Sequence, residues 1–344
     1  MRVFLTGHGT TPRRLAEYQQ AISSLTPRFQ PASSPARADI ILCAEPGDNK
    51  FRGYRDVLLA DPLIAQFPQS VFVYEFSDRP VPFLPGLYVA VEPPGFDRRR
   101  MRSADRWTAI DAPSESALLG DAREPQLLFS FRGSGTAPVR RRLFGLDLSG
   151  VSARVTQTFR WRDYGSMDAD EGKRTYLLEM RESQFVLCPR GLAASTYRLY
   201  EAMQIGRVPV ILADDWMLPE GVPWSECCVR VAEERVAELP EILERFRPEA
   251  AAMGRTAREV WERYLRPGPV LMGRWLRAIE EIMDMRSPDW DESEHLGRSW
   301  SSQRFLWEHH IHPLQGIAGR AAAGLSQRRG RETADDPPEG APAP

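Results

Sequence analysis

The stretch from Ser183 to Leu212 leaves a chain of this kind little choice of local fold. Phe185-Val186-Leu187-Cys188 is an apolar run without alternation, the pattern of a strand buried on both faces. It runs into Pro189-Arg190-Gly191, where a ladder must stop and the chain must turn. Leu192-Ala193-Ala194-Ser195-Thr196 then supplies small residues and an N-cap hydroxyl. A helix is predicted from Ser195 to Ile205, with Gly206 suited to its C-terminal cap. Val208 to Leu212 is a second apolar strand, leading into Ala213-Asp214-Asp215. Strand, helix and strand in this order form a crossover unit of a parallel sheet.

The same alternation recurs along the chain. Val3 to Leu5 reads as a strand, followed by the loop Thr6 to Thr11 and a helix from Pro12 to about Leu25. Ala38 to Cys43 and Val71 to Glu75 read as strands on either side of a helix through Leu58 to Phe67. Pro80 to Pro125 is irregular and rich in Pro, Gly and Arg. A second series begins with a strand at Gln126 to Phe131, a turn at Gly133-Ser134-Gly135 and a helix from Pro138. Ala153 to Phe159 is a strand, Tyr176 to Arg181 ends a helix, Val229 to Val231 is a short strand and Val236 to Phe246 a helix. Helices then dominate to about His310, and the polar end from Thr333 to Pro344 reads as a disordered tail.

A length of 344 residues accommodates two domains at about 150 residues each. The fold class read from this pattern is α/β: two Rossmann-like domains facing one another across a cleft, with a helical C-terminus over the back. The expected boundaries are 1–120 for the first domain, 121–316 for the second with its C-terminal helices, and 317–344 for the tail.

The charge balance narrows the function. A formal net charge of −2 argues against a protein that grips nucleic acid through phosphates. Arg98-Arg99-Arg100 and Arg140-Arg141-Arg142 fit solvated faces or helix starts as well as anion contacts. The opening apolar run is shorter than the ~7–15 residues of a signal h-region. No apolar run approaches the ~18 residues that cross a bilayer. The expectation is a cytoplasmic protein with at most peripheral membrane contact. Its four cysteines, Cys43, Cys188, Cys227 and Cys228, lack zinc spacing and read as reduced, mostly buried thiols. Nothing in the sequence speaks to oligomeric state.

The loop before Tyr197 has the chemistry of an anion site. A helix N-terminus offers unpaired N–H groups and a positive dipole end. Arg190 and Arg198 can add charge-assisted bonds to phosphate oxygens, and Glu201 can accept bonds from ribose hydroxyls. The same two residues, Arg198 and Glu201, also fit a surface i, i+3 pair.

The run S-x-F-x-L-x-P-x-G, then S-x-x-R-x-x-E-A-x-x-x-G-x-x-P-V-I, then Asp214-Asp215 and Leu218-Pro219, resembles the exostosin family of glycosyltransferases. Leu128-Phe129-Ser130-Phe131-Arg132-Gly133, with Arg140 downstream, is similar to the start of that family's nucleotide-binding domain. The resemblance covers roughly Gln126 to Leu239. It implies a GT-B fold and an inverting transfer from a nucleotide-sugar, UDP-linked, to a glycan or polysaccharide acceptor. It further implies that Glu201 holds the ribose and that Arg132, Arg190 and Arg198 lie near the diphosphate. Arg140, Gly191 and Ser195 belong to the same donor-binding set. Val186 stands where the family commonly has Cys, and Arg207 follows Gly206 where it has G-C. A GDP-sugar-dependent, fucosyltransferase-like enzyme shares the E-x-x-x-x-G-x-x-P-V-I run and is the alternative enzyme reading. A degenerate, non-catalytic glycan-binding domain is the alternative outside catalysis. A nucleotide-binding oxidoreductase is disfavoured by the lack of G-x-G-x-x-G after the first strand.

Inverting transfer needs a base for the acceptor hydroxyl. His8, in the loop after the first strand, and Asp78, after the third, are the candidates; a glycine-flanked loop residue and a turn cap are their structural alternatives. Asp214 and Asp215 are candidates for sugar hydroxyls or for a solvated turn. The triplets Asp168-Ala169-Asp170 and Asp289-Trp290-Asp291 do not follow convincing strands, so no obligatory metal is expected. Trp161, Trp216 and Trp224 fit packing anchors better than sugar platforms.

Overall fold

The computed structural model describes residues 1–7, 10–44, 61–78, 80, 82, 84–93, 96–110, 124–158 and 169–295, with backbone alone at 169–170. Met1–Trp290 forms one compact unit and Asp291–Pro344 a second. The described part of the second, 291–295, is a helical turn in which the Asp291 carboxylate accepts from the Ser293 N–H at 2.9 Å.

Within the first unit lie two parallel sheets. Strands β1 (Arg2–Thr6), β2 (Gln30–Pro31), β3 (Ile40–Ala44), β4 (Val71–Glu75), β5 (Gly86–Tyr88) and β6 (Met101–Ser103) are ordered β2-β1-β3-β4-β5-β6. Strands β7 (Leu127–Gly133), β8 (Ala153–Gln157), β9 (Ser183–Pro189), β10 (Val208–Leu212) and β11 (Val229–Arg230) are ordered β11-β10-β9-β7-β8. Every pairing is parallel. Counted from its β2 or β8 edge, each sheet runs second, first, third, fourth, fifth strand. Each winding therefore reverses once, between β1 and β3 and between β7 and β9. Ligands of doubly wound sheets bind outside the carboxyl ends of the strands at that reversal.

The strands β3, β4 and β10 are buried along their whole length, which is why they read as continuous apolar runs. β5 and β6 fall in the stretch expected to be irregular. Each is three residues long, and β5 depends on Gly86, whose φ is +152°. A Cβ there would sit 2.1 Å from the Val73 carbonyl oxygen, so only glycine lets β5 close on β4.

Helix α1 (Pro12–Ser23) covers the first sheet. It starts at Thr11, whose hydroxyl accepts from the Arg14 N–H, with Pro12 in the first turn. Helix α2 (Pro62–Gln66) is capped by Asp61 and buries Ile64. The second sheet is covered on one side by α4 (Ala169–Arg181), α5 (Tyr197–Gln204) and α8 (Ala250–Val260), through Leu177, Leu199, Met203 and Ala257. α3 (Pro138–Phe144) and α7 (Leu239–Phe246) cover the other side through Val139, Leu143, Leu239 and Leu243. A short helix α6 (Trp224–Cys227) precedes β11. Cys43 and Cys188 are buried free thiols, each pushed up to about 12 by removal from water.

Helix α9 (Pro269–Asp284) departs from the expected division of the chain. It packs into the core of the first sheet through Leu271, Met272, Trp275, Leu276, Ile279 and Ile282. Trp275 stacks on Tyr74 of β4 with ring centroids 3.8 Å apart, and Tyr18 meets Trp107 edge-on at 4.6 Å. The i, i+3, i+4 spacing of these residues announces a buried face but says nothing of which sheet it meets. Among the described residues no helix is long and apolar enough to cross a membrane.

The two halves are fastened by hydrogen bonds along their junction. The Met217 N–H donates to the Val91 carbonyl at 3.1 Å, and the Ser103 hydroxyl donates to the Met217 carbonyl. The Ile110 N–H donates to Gln204 Oε1 at 2.6 Å while Gln204 Nε2 donates to the Ile110 carbonyl at 3.1 Å. Arg274 of α9 donates to buried Asp105 at 3.1 Å and to the Glu220 carbonyl at 3.0 Å. Burial raises the Asp105 carboxyl to about 6, against the pull of Arg274.

Because α9 completes the core of the first sheet, Trp275→Ala is expected to cost about 3–5 kcal/mol of stability. Denaturant unfolding monitored by fluorescence and circular dichroism checks this. A loss under ~1 kcal/mol would contradict the placement of α9.

Candidate functional site

The reversal of the second sheet is built from the ends of β7 and β9. Phe131, near the end of β7, is fully buried and supports two guanidiniums. Arg198, in the first turn of α5, lies 4.5 Å from the Phe131 ring centroid and 5.3 Å from that of Tyr176. It is 9% exposed, and its Nη2 donates to the Arg132 carbonyl at 2.5 Å. Its Nε and Nη1 are buried without an acceptor among the described residues. Each such buried donor costs about 1–3 kcal/mol while unpaired.

Arg140, one turn into α3, lies 5.6 Å from the Phe131 centroid. It clamps the end of β9: Nε donates to the Arg190 carbonyl at 2.9 Å and Nη2 to the Pro189 carbonyl at 3.1 Å. A side chain at Gly191 would place its Cβ 2.9 Å from Arg140 Nη2, so glycine lets the loop pass over the guanidinium. Burial, reinforced by the charge of Arg198, lowers Arg140 to about 10, which leaves it protonated at neutral pH. Among the described residues neither Arg140 nor Arg198 forms an ion pair. Two adjacent cations, one with orphaned donors, form an arrangement whose charge and donors suit an anionic group.

Glu201 lies one helical turn beyond Arg198. Its Oε2 accepts from the Tyr176 hydroxyl at 2.5 Å. Burial raises its carboxyl, and the Tyr176 bond and the Arg198 charge pull it partly back. Its other oxygen, Oε1, has no donor among the described residues.

The remaining residues expected at the site are arranged as follows. Arg132 is held in a two-pronged pair by buried Glu179, at 2.7 and 2.6 Å, so it offers the site its carbonyl more than its charge. Arg190 reaches toward the first half, donating to Glu92 at 2.8 Å, with Asp215 at 3.9 Å. Asp214 is exposed in the turn after β10: its carboxylate accepts from the Glu233 N–H at 3.0 Å, and its own N–H donates to Glu233 Oε1 at 3.4 Å. Asp215 is largely exposed beside Arg190.

Helix α5 begins two residues later than expected. Thr196 holds the N-cap position but its hydroxyl caps nothing. The Ser195 hydroxyl instead accepts two bonds from Arg106, at 3.1 and 2.8 Å. Asp78 is half exposed, 3.7 Å from Arg106 Nη2. Trp216 is buried in the core and Trp224 donates to the Pro219 carbonyl at 2.8 Å, both as packing residues. His8, Trp161, Asp168, the boundary at 121 and the segment 317–344 lie outside the described residues, as does the side chain of Asp170.

Sequence reasoning missed Glu92, Arg106, Tyr176 and Glu179. Tyr176 and Glu179 share a face of α4 at i, i+3 spacing, a cue that they act together. Glu92 and Arg106 sit in the irregular stretch, where periodicity gives no orientation.

Comparison with known proteins bears on the half that holds the second sheet. Residues 115–246 match the Exostosin GT47 domain. The chain is 40% identical over 101 residues to "Probable glucuronosyltransferase GUT1" of Oryza sativa subsp. japonica, covering 29% of this chain and 24% of that protein. It is 41% identical over 101 residues to "Probable beta-1,4-xylosyltransferase IRX10" of Arabidopsis thaliana, with the same coverage, 29% and 24%. With "Exostosin-1 homolog" of Caenorhabditis elegans it shares 31% identity over 160 residues, 44% of this chain and 42% of that protein. The chain thus spans under half the length of these relatives. The exostosin resemblance read from the motifs is borne out. The matched segment contains Arg132, Arg140, Arg190, Arg198 and Glu201 but stops short of Glu92 and Arg106.

Glu92 competes with an incoming anion for Arg190. Glu92→Gln is expected to tighten inorganic pyrophosphate binding about two- to five-fold at low salt, the worth of a half-exposed ion pair. Calorimetric titration measures this, and weaker binding would remove Arg190 from the anion site.

Proposed function

We propose, from the premise that residues 115–246 form an exostosin GT47 domain, that the chain is an inverting glycosyltransferase that moves a sugar from a UDP-sugar onto a glycan or polysaccharide acceptor. The observation that carries the reading is the uncompensated pair Arg140 and Arg198 at the reversal of the second sheet. A nucleoside diphosphate supplies the two negative groups that such a pair lacks. The names of the rice and Arabidopsis relatives, a glucuronosyltransferase and a xylosyltransferase, support glycosyl transfer as the chemistry.

In this reading the diphosphate lies between the end of β7 and the first turn of α5. The orphaned Nε and Nη1 of Arg198 reach its oxygens, and the amides before Tyr197 add their dipoles. As the anomeric bond breaks, negative charge grows on the departing phosphate, and fixed guanidiniums in a dry setting stabilise it without reorganising. The reading calls for no metal. Glu201 accepts a ribose hydroxyl through Oε1, with Tyr176 fixing the carboxylate from the other side. Residues 1–120 take the acceptor. Asp78, beside Arg106 in that half, is the candidate base together with His8.

Adding UDP is expected to raise the melting temperature, with GDP as the comparison. Glu201→Ala is expected to weaken UDP binding by at least about tenfold, the worth of one good charge-assisted bond, and to lower stability by about 1–3 kcal/mol through the unpaired Tyr176 hydroxyl. If neither UDP nor GDP stabilises the chain, the donor assignment fails. If GDP alone does so, the donor is a GDP-sugar.

A further inference from the structure

Arg106 lies outside the matched domain, in the stretch between β6 and the second sheet. It is 2% exposed, and each of its nitrogens has an acceptor or a charge to face. Nη1 donates to the Phe76 carbonyl at 3.2 Å, at the end of β4. Nε and Nη2 converge on the Ser195 hydroxyl at 3.1 and 2.8 Å. Asp78 Oδ1 stands 3.7 Å from Nη2, and the Tyr197 ring lies 4.3 Å from the guanidinium carbon. One buried cation of the first half therefore touches the loop after β4 and the last residues before α5.

The position of those residues matters because α5 carries Arg198 and Glu201. Its own N-cap residue, Thr196, makes no side-chain capping bond, so the register of its first turn depends on what holds Ser195 and Tyr197. Arg106 grips both, through two hydrogen bonds on a hydroxyl and a guanidinium against an aromatic face. A second side-chain link near the start of this loop, Arg190 to Glu92, is exposed on the Glu92 side and screened by water, whereas the Arg106 link is buried.

We infer that Arg106 is a positioning residue: it sets the donor helix in the frame of the acceptor half, so that loss of Arg106 disorders the start of α5 and weakens the donor site without touching the donor. The inference concerns α5 directly, and its effect on donor binding rests on the UDP-sugar reading. A surface or purely structural arginine would change stability uniformly and leave the local register of residues 192–199 alone.

The test uses the full chain with Arg106→Lys, Arg106→Ala, Ser195→Ala and the double variant Arg106→Ala/Ser195→Ala. Hydrogen–deuterium exchange without ligand is expected to rise in 192–199 for Arg106→Ala and to return most of the way to wild type for Arg106→Lys. Exchange in the β3 and β4 amides stays unchanged. UDP affinity, read by titration, is expected to fall about five- to twentyfold in Arg106→Ala, and the double variant to lose little more than the worse single one, as coupled neighbours do. Ser195→Ala keeps the test open if Arg106→Ala does not fold, because it cuts the same link from the other side. Exchange unchanged at 192–199 in the variants, or losses that simply add, would overturn the inference. If wild type fails to bind UDP while exchange still rises locally, the function reading fails and the positioning role stands.

Discussion

Two guanidiniums held against one phenylalanine, neither in an ion pair among the described residues, are the interaction around which this region is organised. Burying cations without counter-charge is unfavourable unless a ligand supplies it. Phe131 gives Arg198 and Arg140 an aromatic face, and the Arg132, Pro189 and Arg190 carbonyls give them partial negative charge. That is enough to hold them in place and leaves two Arg198 donors unanswered. The nearby carboxylates are directed elsewhere. Glu179 holds Arg132, Glu201 is engaged by Tyr176, and Asp214 accepts from the Glu233 N–H. The proposed anion site therefore depends as much on where the acids are sequestered as on where the bases stand.

The topology puts this site where it can work. Both sheets reverse their winding between first and third strands, and the carboxyl ends of both meet through Arg106, Arg190 and the Met217 backbone. A donor at β7 and β9 would thus sit beside the loops of β4, where Asp78 is found. The return of α9 into the core of the first sheet ties the two halves together a second time. They are bound covalently by the segment after β6 and again by this helix.

Much of this was legible in the sequence, for stated physical reasons. β4 and β10 were read to the residue, because short all-apolar runs bounded by turn residues admit few alternatives. The placement of Arg198 and Glu201 on the first turns of α5 is legible because a helix after a Pro-Arg-Gly turn fixes which residues occupy its start. The partners of those residues were not legible. The resemblance implies Arg132 near the diphosphate, but its partner Glu179 lies 47 positions on, a separation that no local pattern reveals. β5 was hidden because its closeness to β4 depends on one glycine rather than on a pattern. Arg106 lies in a segment without periodicity, so its burial depends wholly on tertiary packing. α9 shows the general limit: a helical stripe states that a face is buried and is silent about the surface that buries it.

If Arg140 and Arg198 hold a diphosphate, the affinity of UDP relative to uridine reports it. Titrated against the full chain at fixed ionic strength, UDP is expected to bind at least about a hundredfold more tightly than uridine, the worth of two charge-assisted contacts. Arg198→Gln is expected to collapse most of that ratio while leaving uridine affinity nearly unchanged. Equal affinities for UDP and uridine, or a ratio untouched by Arg198→Gln, would contradict the account.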